Sequence, residues 1–194
     1  MDRIARRKAE VRERILTAAF DLFVTEGPAA TTLALVCERA DVASRTFFNY
    51  FPTRQAMVVA LAHRWLATFR DLDVVKTSVP MPTRIVSIFD DIAATLIAST
   101  DTYREMIGEM MAAIGHGTHR GAALHTTFVE MAEHGIASGE VTPRHDPITL
   151  ADLIICALAG QIGNWTVGET SSLTTDLHDT ACALADLLRA DTGR

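Results

Sequence analysis

Apolar positions along this chain recur every three or four residues, the period of one helix face, and nowhere settle into the two-residue alternation of a strand. An all-α fold follows. From about Ala9 to Glu26, the stripe Ile15, Ala19, Leu22 and Phe23 marks a first helix, which Gly27-Pro28 stops. Thr32 opens a second helix as an oxygen-bearing cap, with Leu33, Val36 and Cys37 on its inner face, and the helix closes near Ala40. Asp41 tolerates left-handed backbone, and Val42 is an apolar plug between this helix and the next. A short third helix starts near Ala43 or Ser44 and runs to Phe51. Phe47 and Phe51 turn inward, leaving Ser44, Arg45, Thr46, Phe48, Asn49 and Tyr50 on the rest of its surface. Thr32 to Arg54 therefore reads as a helix-turn-helix followed by the start of another helix.

Pro52 and Thr53 open that fourth helix, in which Met57, Leu61, Trp65 and Phe69 recur every four residues. The pattern predicts a helix-turn-helix domain over residues 1–52 and a larger helical domain over 53–194, with helix 53–70 connecting them. After the two prolines of VVKTSVPMPTR, five further helices are expected, about nine in all. Their stripes begin with Ile85, Ile88, Phe89, Ile92 and Leu96. Tyr103, Met106, Ile107, Met110 and Ile114 mark the next, and Leu124, Phe128 and Met131 the one that ends near Gly139. The eighth, from about Pro147 to Val167, is apolar nearly all round, so something must cover its second side. A second subunit does so if Ala157, Gly160 and Gly163 let partner helices approach and Leu184 and Leu188 of the last helix complete a four-helix interface. An ordinary core helix satisfies the same pattern.

Composition refines this picture at four points. With 194 residues and 48% apolar content the chain can bury a sizeable core. No apolar run reaches the roughly 18 residues of a membrane span, and MDRIARRKAE is too charged for a signal peptide, so a cytoplasmic protein is expected. Cys37, Cys156 and Cys182 are far apart with no CxxC spacing, which predicts reduced, small core residues. The net charge of -6 is unevenly spread: residues 1–70 carry 11 Lys and Arg against 7 Asp and Glu, and residues 71–194 carry 7 against 17. A basic head can approach a phosphate backbone while an acidic body stays clear of it.

The unbroken run ILTAAFDLFVTEGPAATTLALVCERADVASRTFFNYFPTRQAMV resembles the DNA-binding domain of the TetR/AcrR family of transcriptional regulators. It joins a first-helix core, a glycine, paired threonines, the helix-turn-helix, an aromatic cluster and Phe-Pro with a basic residue. The resemblance implies that the later helices form an effector-binding and dimerisation domain. Four positions depart from the family pattern: Asp41 replaces a glycine, Ala43 a serine, and Phe48 and Tyr50 stand where tyrosine and histidine are frequent.

On this reading the function is that of a ligand-responsive regulator, most simply a repressor, which binds double-stranded DNA as a homodimer. Arg45 is the first candidate for reading bases, since its fork matches guanine O6 and N7, and Ser44 and Asn49 join it. Thr32, Thr46, Tyr50, Arg54 and Lys8 are candidates for phosphate contacts; Lys8 belongs with Arg3, Arg6 and Arg7 to a basic arm ahead of the first helix. Trp65, Phe69, Phe89, Tyr103, Met106, Met110, Phe128, Met131 and Trp165 offer an apolar lining for a hydrophobic or amphipathic effector, though core packing accounts for each equally simply. Arg104 and Arg120, flanking the Met-rich helix, either meet an acidic ligand or pair with neighbouring carboxylates. No cofactor is predicted, and no metal, because the loose group His116, His119 and His125 lacks a defined further ligand. The rival readings are an architectural DNA-binding protein without a ligand and an enzyme. For the latter the chain has no Gly-rich phosphate loop, nucleophile elbow or HExxH.

Overall fold

A computed structural model describes residues 3–68, 79–98, 100–114, 120, 122–169 and 172–190, and among them the chain forms nine α-helices and no strand. The head comprises α1 (Arg3–Glu26), α2 (Leu33–Arg39), α3 (Ser44–Tyr50) and the start of α4 (Arg54–Ala67). The body comprises α5 (Met81–Ile97), α6 (Asp101–Ile114), α7 (Ala123–Ser138), α8 (Pro147–Thr166) and α9 (Leu173–Leu188). Boundaries follow local chemistry. Thr32, Thr53, Asp146 and Ser172 each accept a backbone N–H from three residues on, capping α2, α4, α8 and α9. Gly27 and Gly139, at φ 82° and 79°, end α1 and α7 in a left-handed conformation that costs glycine nothing.

Two expectations require correction. The first helix starts at Arg3 rather than near Ala9, so Arg3, Arg6, Arg7 and Lys8 are exposed positions on its opening turns and not a separate arm. The physical reason lies in RIARRKAE itself, a run of strong helix formers with no residue that stops the helix from continuing outward. Of the three cysteines only Cys37 is a core residue; Cys156 is exposed and Cys182 half-buried.

The head core is built from Ile15, Leu16, Phe23, Phe47 and Leu61, all fully buried. In the body α5 packs along α9 and α7 along α8, and α6 lies against α8 on one side and against α1 and α4 on another. Helix α6 is thus the body element held by the head. Helix α8 buries Leu150, Ala151, Ile154, Ile155, Leu158 and Ile162 as one stripe. Its opposite side shows Ile148 and Leu153 to solvent, and α9 shows Leu187. Among the described residues α8 is the one helix whose length and composition would allow it to cross a membrane.

Candidate nucleic-acid interface

The turn between α2 and α3 is closed by two hydrogen bonds, Val42 N–H to Cys37 O at 3.0 Å and Asp41 N–H to Glu38 O at 3.1 Å. This is a Schellman ending, and it places Asp41 at φ 50°, in the left-handed region where aspartate substitutes for glycine at modest cost. Ala43 supplies the N-cap of α3 with no side-chain hydrogen bond. Phe47, the one buried residue of α3, anchors it through ring contacts with Phe51 at 5.7 Å and Phe48 at 5.5 Å.

That single anchor leaves Ser44, Arg45 and Asn49 exposed together on the outer face of α3, with Phe48 beside them. Thr46 and Tyr50 are half-buried at its flanks, and Tyr50 packs partly on the core. Thr32, although its hydroxyl caps α2, is itself exposed, as is Lys8 on α1. A seven-residue helix bearing one cation and two small polar groups at its open surface has the shape and donors for a DNA major groove.

Arg54, a candidate phosphate contact, is engaged within the molecule. Its guanidinium pairs with Glu109 of α6, donates to the Pro28 carbonyl at 3.0 Å, and lies over the Phe23 ring at 5.3 Å. In this arrangement it ties head to body. Sequence reasoning missed Glu109, which lies 55 residues away with no local signal connecting the two. Two further ties run to the same helix: Trp65 donates from Nε1 to the Tyr103 hydroxyl at 2.8 Å, and Phe20 meets the Tyr103 ring edge-on at 6.4 Å.

The proposed effector lining divides sharply. Phe89, Met106, Met110 and Phe128 are fully buried and Met131 nearly so, all as core. Trp65 and Tyr103 border a cavity of 220 Å³ with Phe20, Arg64, Thr68 and Thr95. The ring of Trp165 stacks under Arg104, 4.8 Å away, and Arg104 also donates to the Trp165 carbonyl, so that arginine is committed to the C-terminal end of α8. Arg120 forms a bidentate pair with Asp152, whose carboxylate also meets the buried His125 at 3.0 Å. This pairing holds the Arg120 guanidinium above its ordinary range, chiefly through the hydrogen bonds it donates to Asp152. Phe69, His116 and His119 lie outside the described residues. No group of three or more His, Cys, Asp or Glu able to hold a metal occurs among the described ones.

A larger groove of 610 Å³ opens between α6 and α8, lined by Gly108, Met111, Ile114, Ile155, Ala159, Asn164 and their neighbours, with Cys156, Gly160 and Gly163 on its α8 wall. An ideal Cβ on Gly160 or Gly163 would meet nothing within 4 Å, so both glycines line open space in the single chain. In sequence the small residues of α8 suggested a dimer contact and did not announce this groove. Of the residues assigned to a dimer contact, Ala157 is half-buried, Leu184 packs partly on the core, and Leu188 is 5% exposed. Leu188 packs inward with the stripe Leu177 and Ala181, whereas Leu187, at 76% exposure, faces out.

Residues 15–61 match the family model described as bacterial regulatory proteins, tetR family. No curated protein sequence matches the chain. Among solved structures, the fold is similar to that of the FadR repressor of Thermus thermophilus in complex with lauroyl-CoA. The TM-score is 0.76 at 18% identity, over 94% of this chain and 98% of that one. It is also similar to RolR in complex with resorcinol, with a TM-score of 0.74 and 19% identity over 96% of this chain and 91% of that one. A TetR transcriptional regulator from Rhodococcus sp. RHA1 gives 0.71 and 18%, over 95% and 99%. At these identities the likeness is one of fold, and the family model matches the head, residues 15–61.

Proposed function

We propose that this chain, with a tetR-family DNA-binding domain over residues 15–61, is a ligand-responsive transcriptional repressor working in the cytoplasm. It binds a palindromic operator as a homodimer and leaves it when a small hydrophobic or amphipathic effector binds the body. The observation that carries the reading is the outer face of α3, where Ser44, Arg45 and Asn49 stand exposed while Phe47 is buried in the core. Arg45 reads bases and Lys8 contacts phosphate, together with Thr32, Thr46 and Tyr50.

The dimer forms through the exposed apolar faces of α8 and α9, where Leu153, Ile148 and Leu187 lie uncovered beside Ala157, Gly160 and Gly163. Two heads so joined present their α3 helices about 35 Å apart, one turn of DNA. The α6–α8 groove is the effector site, since its 610 Å³ lies within the range of about 300–1,000 Å³ common for ligand pockets and its lining in the body is mostly apolar. Gly108 and Met111 of its wall flank Glu109, the residue that ties α6 to Arg54. A ligand that displaces α6 therefore pulls on the start of α4, and a change in the spacing of the heads releases DNA.

Selection from a random duplex pool with the purified protein tests the DNA reading. The expected product is a two-fold symmetric site. On that site Arg45→Ala loses about 1–3 kcal/mol relative to a scrambled duplex, while Lys8→Ala weakens both equally. Failure to enrich any sequence, or equal losses on both duplexes for Arg45→Ala, overturns it. Thermal-shift screening of apolar compounds and acyl-CoAs, followed by operator release, tests the effector.

A further inference from the structure

Three chemistry-bearing side chains meet on the body surface, at the seam between α5 and α9. Cys182 Sγ lies 3.6 Å from His178 Nε2, one helical turn earlier on α9. The other ring nitrogen, Nδ1, lies 3.0 and 3.3 Å from the two carboxylate oxygens of Asp90 on α5. A carboxylate facing Nδ1 holds the proton there and leaves the Nε2 lone pair toward the sulfur. Nucleophile, base and orienting acid thus stand in sequence, the arrangement by which an otherwise weak nucleophile is activated. His178 and Asp90 have side chains 49% and 43% exposed, and Cys182 is half-buried, so a small molecule reaches the sulfur from solvent.

We propose that Cys182 is a covalent modification site for α,β-unsaturated carbonyl compounds, with His178 as its base and Asp90 positioning His178. Sγ adds to the β-carbon of the acceptor as the thiol proton passes to Nε2, and Asp90 faces the imidazolium so formed. The enolate then takes that proton onto its α-carbon. Thiol and alkene give a thioether; nothing is oxidised and no group leaves. Acyl transfer is the poorer match, because it places a tetrahedral oxyanion beside the sulfur. Cys182 sits inside α9, where backbone N–H groups are spent on the helix and none is free to stabilise such a charge. Conjugate addition moves the charge to a carbonyl oxygen away from the sulfur and needs one returned proton. The inference does not depend on the DNA-binding reading.

The test uses the full chain and N-ethylmaleimide, a cyclic conjugated acceptor, with labelling at each cysteine followed by peptide-mapping mass spectrometry. Free N-acetylcysteine added to the same reaction is the reference thiol, and continued protection of the buried Cys37 reports an intact fold. His178→Asn is expected to lower the ratio of Cys182 to reference labelling rates by about tenfold or more. Asp90→Asn should lower it less, and Asp90→Glu should restore it. His178→Gln, made in parallel, gives the same readout should the first variant lose its fold. A ratio unchanged by removal of the imidazole overturns the proposal.

Discussion

Removing one partner of the Arg54–Glu109 pair measures how firmly the body holds the head. Arg54 makes three separable contacts: the carboxylate of Glu109, the Pro28 carbonyl at 3.0 Å, and the Phe23 ring at 5.3 Å. The two side chains are 39% and 26% exposed, so water screens the pair and places it near the top of the range for surface ion pairs, about 1 kcal/mol. The carbonyl bond adds about 0.5 kcal/mol and the ring contact about as much again. Glu109→Gln should then cost about 1 kcal/mol and Arg54→Met about 2 kcal/mol. The double variant should cost no more than Arg54→Met alone, which corresponds to a coupling of about 1 kcal/mol. Urea denaturation of the four proteins, followed by the fluorescence of Trp65 and Trp165, supplies the cycle. Additive losses, with a coupling below about 0.3 kcal/mol, would show that the pair is a crystal-like surface contact with no energetic weight and refute its role as a tie.

Two further outcomes follow from the same geometry. Phe47→Ala removes the only buried side chain of α3 and should cost about 3–5 kcal/mol, with the recognition surface losing its fixed pose; thermal denaturation showing a loss under about 1.5 kcal/mol would mean that α3 is held by something else. Asp146 caps α8, and the hydrogen bonds it accepts from the Thr149 hydroxyl and backbone N–H hold its carboxyl below the ordinary value. Such a group stabilises the fold at pH above that ordinary value and stops doing so as pH falls through the lowered one. The stability gap between the wild type and Asp146→Ala, measured by denaturation near pH 7 and near pH 3, should therefore narrow on acidification; a constant or wider gap contradicts the assignment.

The cysteines show how far local pattern carries. His178 and Cys182 are visible in the sequence as a pair four apart on one helix face, but Asp90 stands 88 residues away, and nothing local announces it. Without the carboxylate the pair is two ordinary surface residues. The same holds for Arg104, whose neighbours in sequence suggested carboxylate partners and whose guanidinium instead serves the end of α8.

What the sequence alone determined is whatever depends on interactions within about one helical turn. The helical period, the caps at Thr32 and Thr53, the left-handed turn at Asp41 and the inward anchors Phe47 and Phe51 are all of this kind, and together they specify the helix-turn-helix and the exposed outer face of α3. Tertiary structure decided which of two competing uses each versatile side chain takes. Leu188 and the α6 residues Met106 and Met110 are buried in the core, and Arg54 pairs with Glu109. An apolar stripe is equally suited to a core, a groove or a second subunit, and a charged fork to any acceptor within reach. Only the packing of helices distant in sequence sets which of these is nearest, and that is information no short window of residues contains.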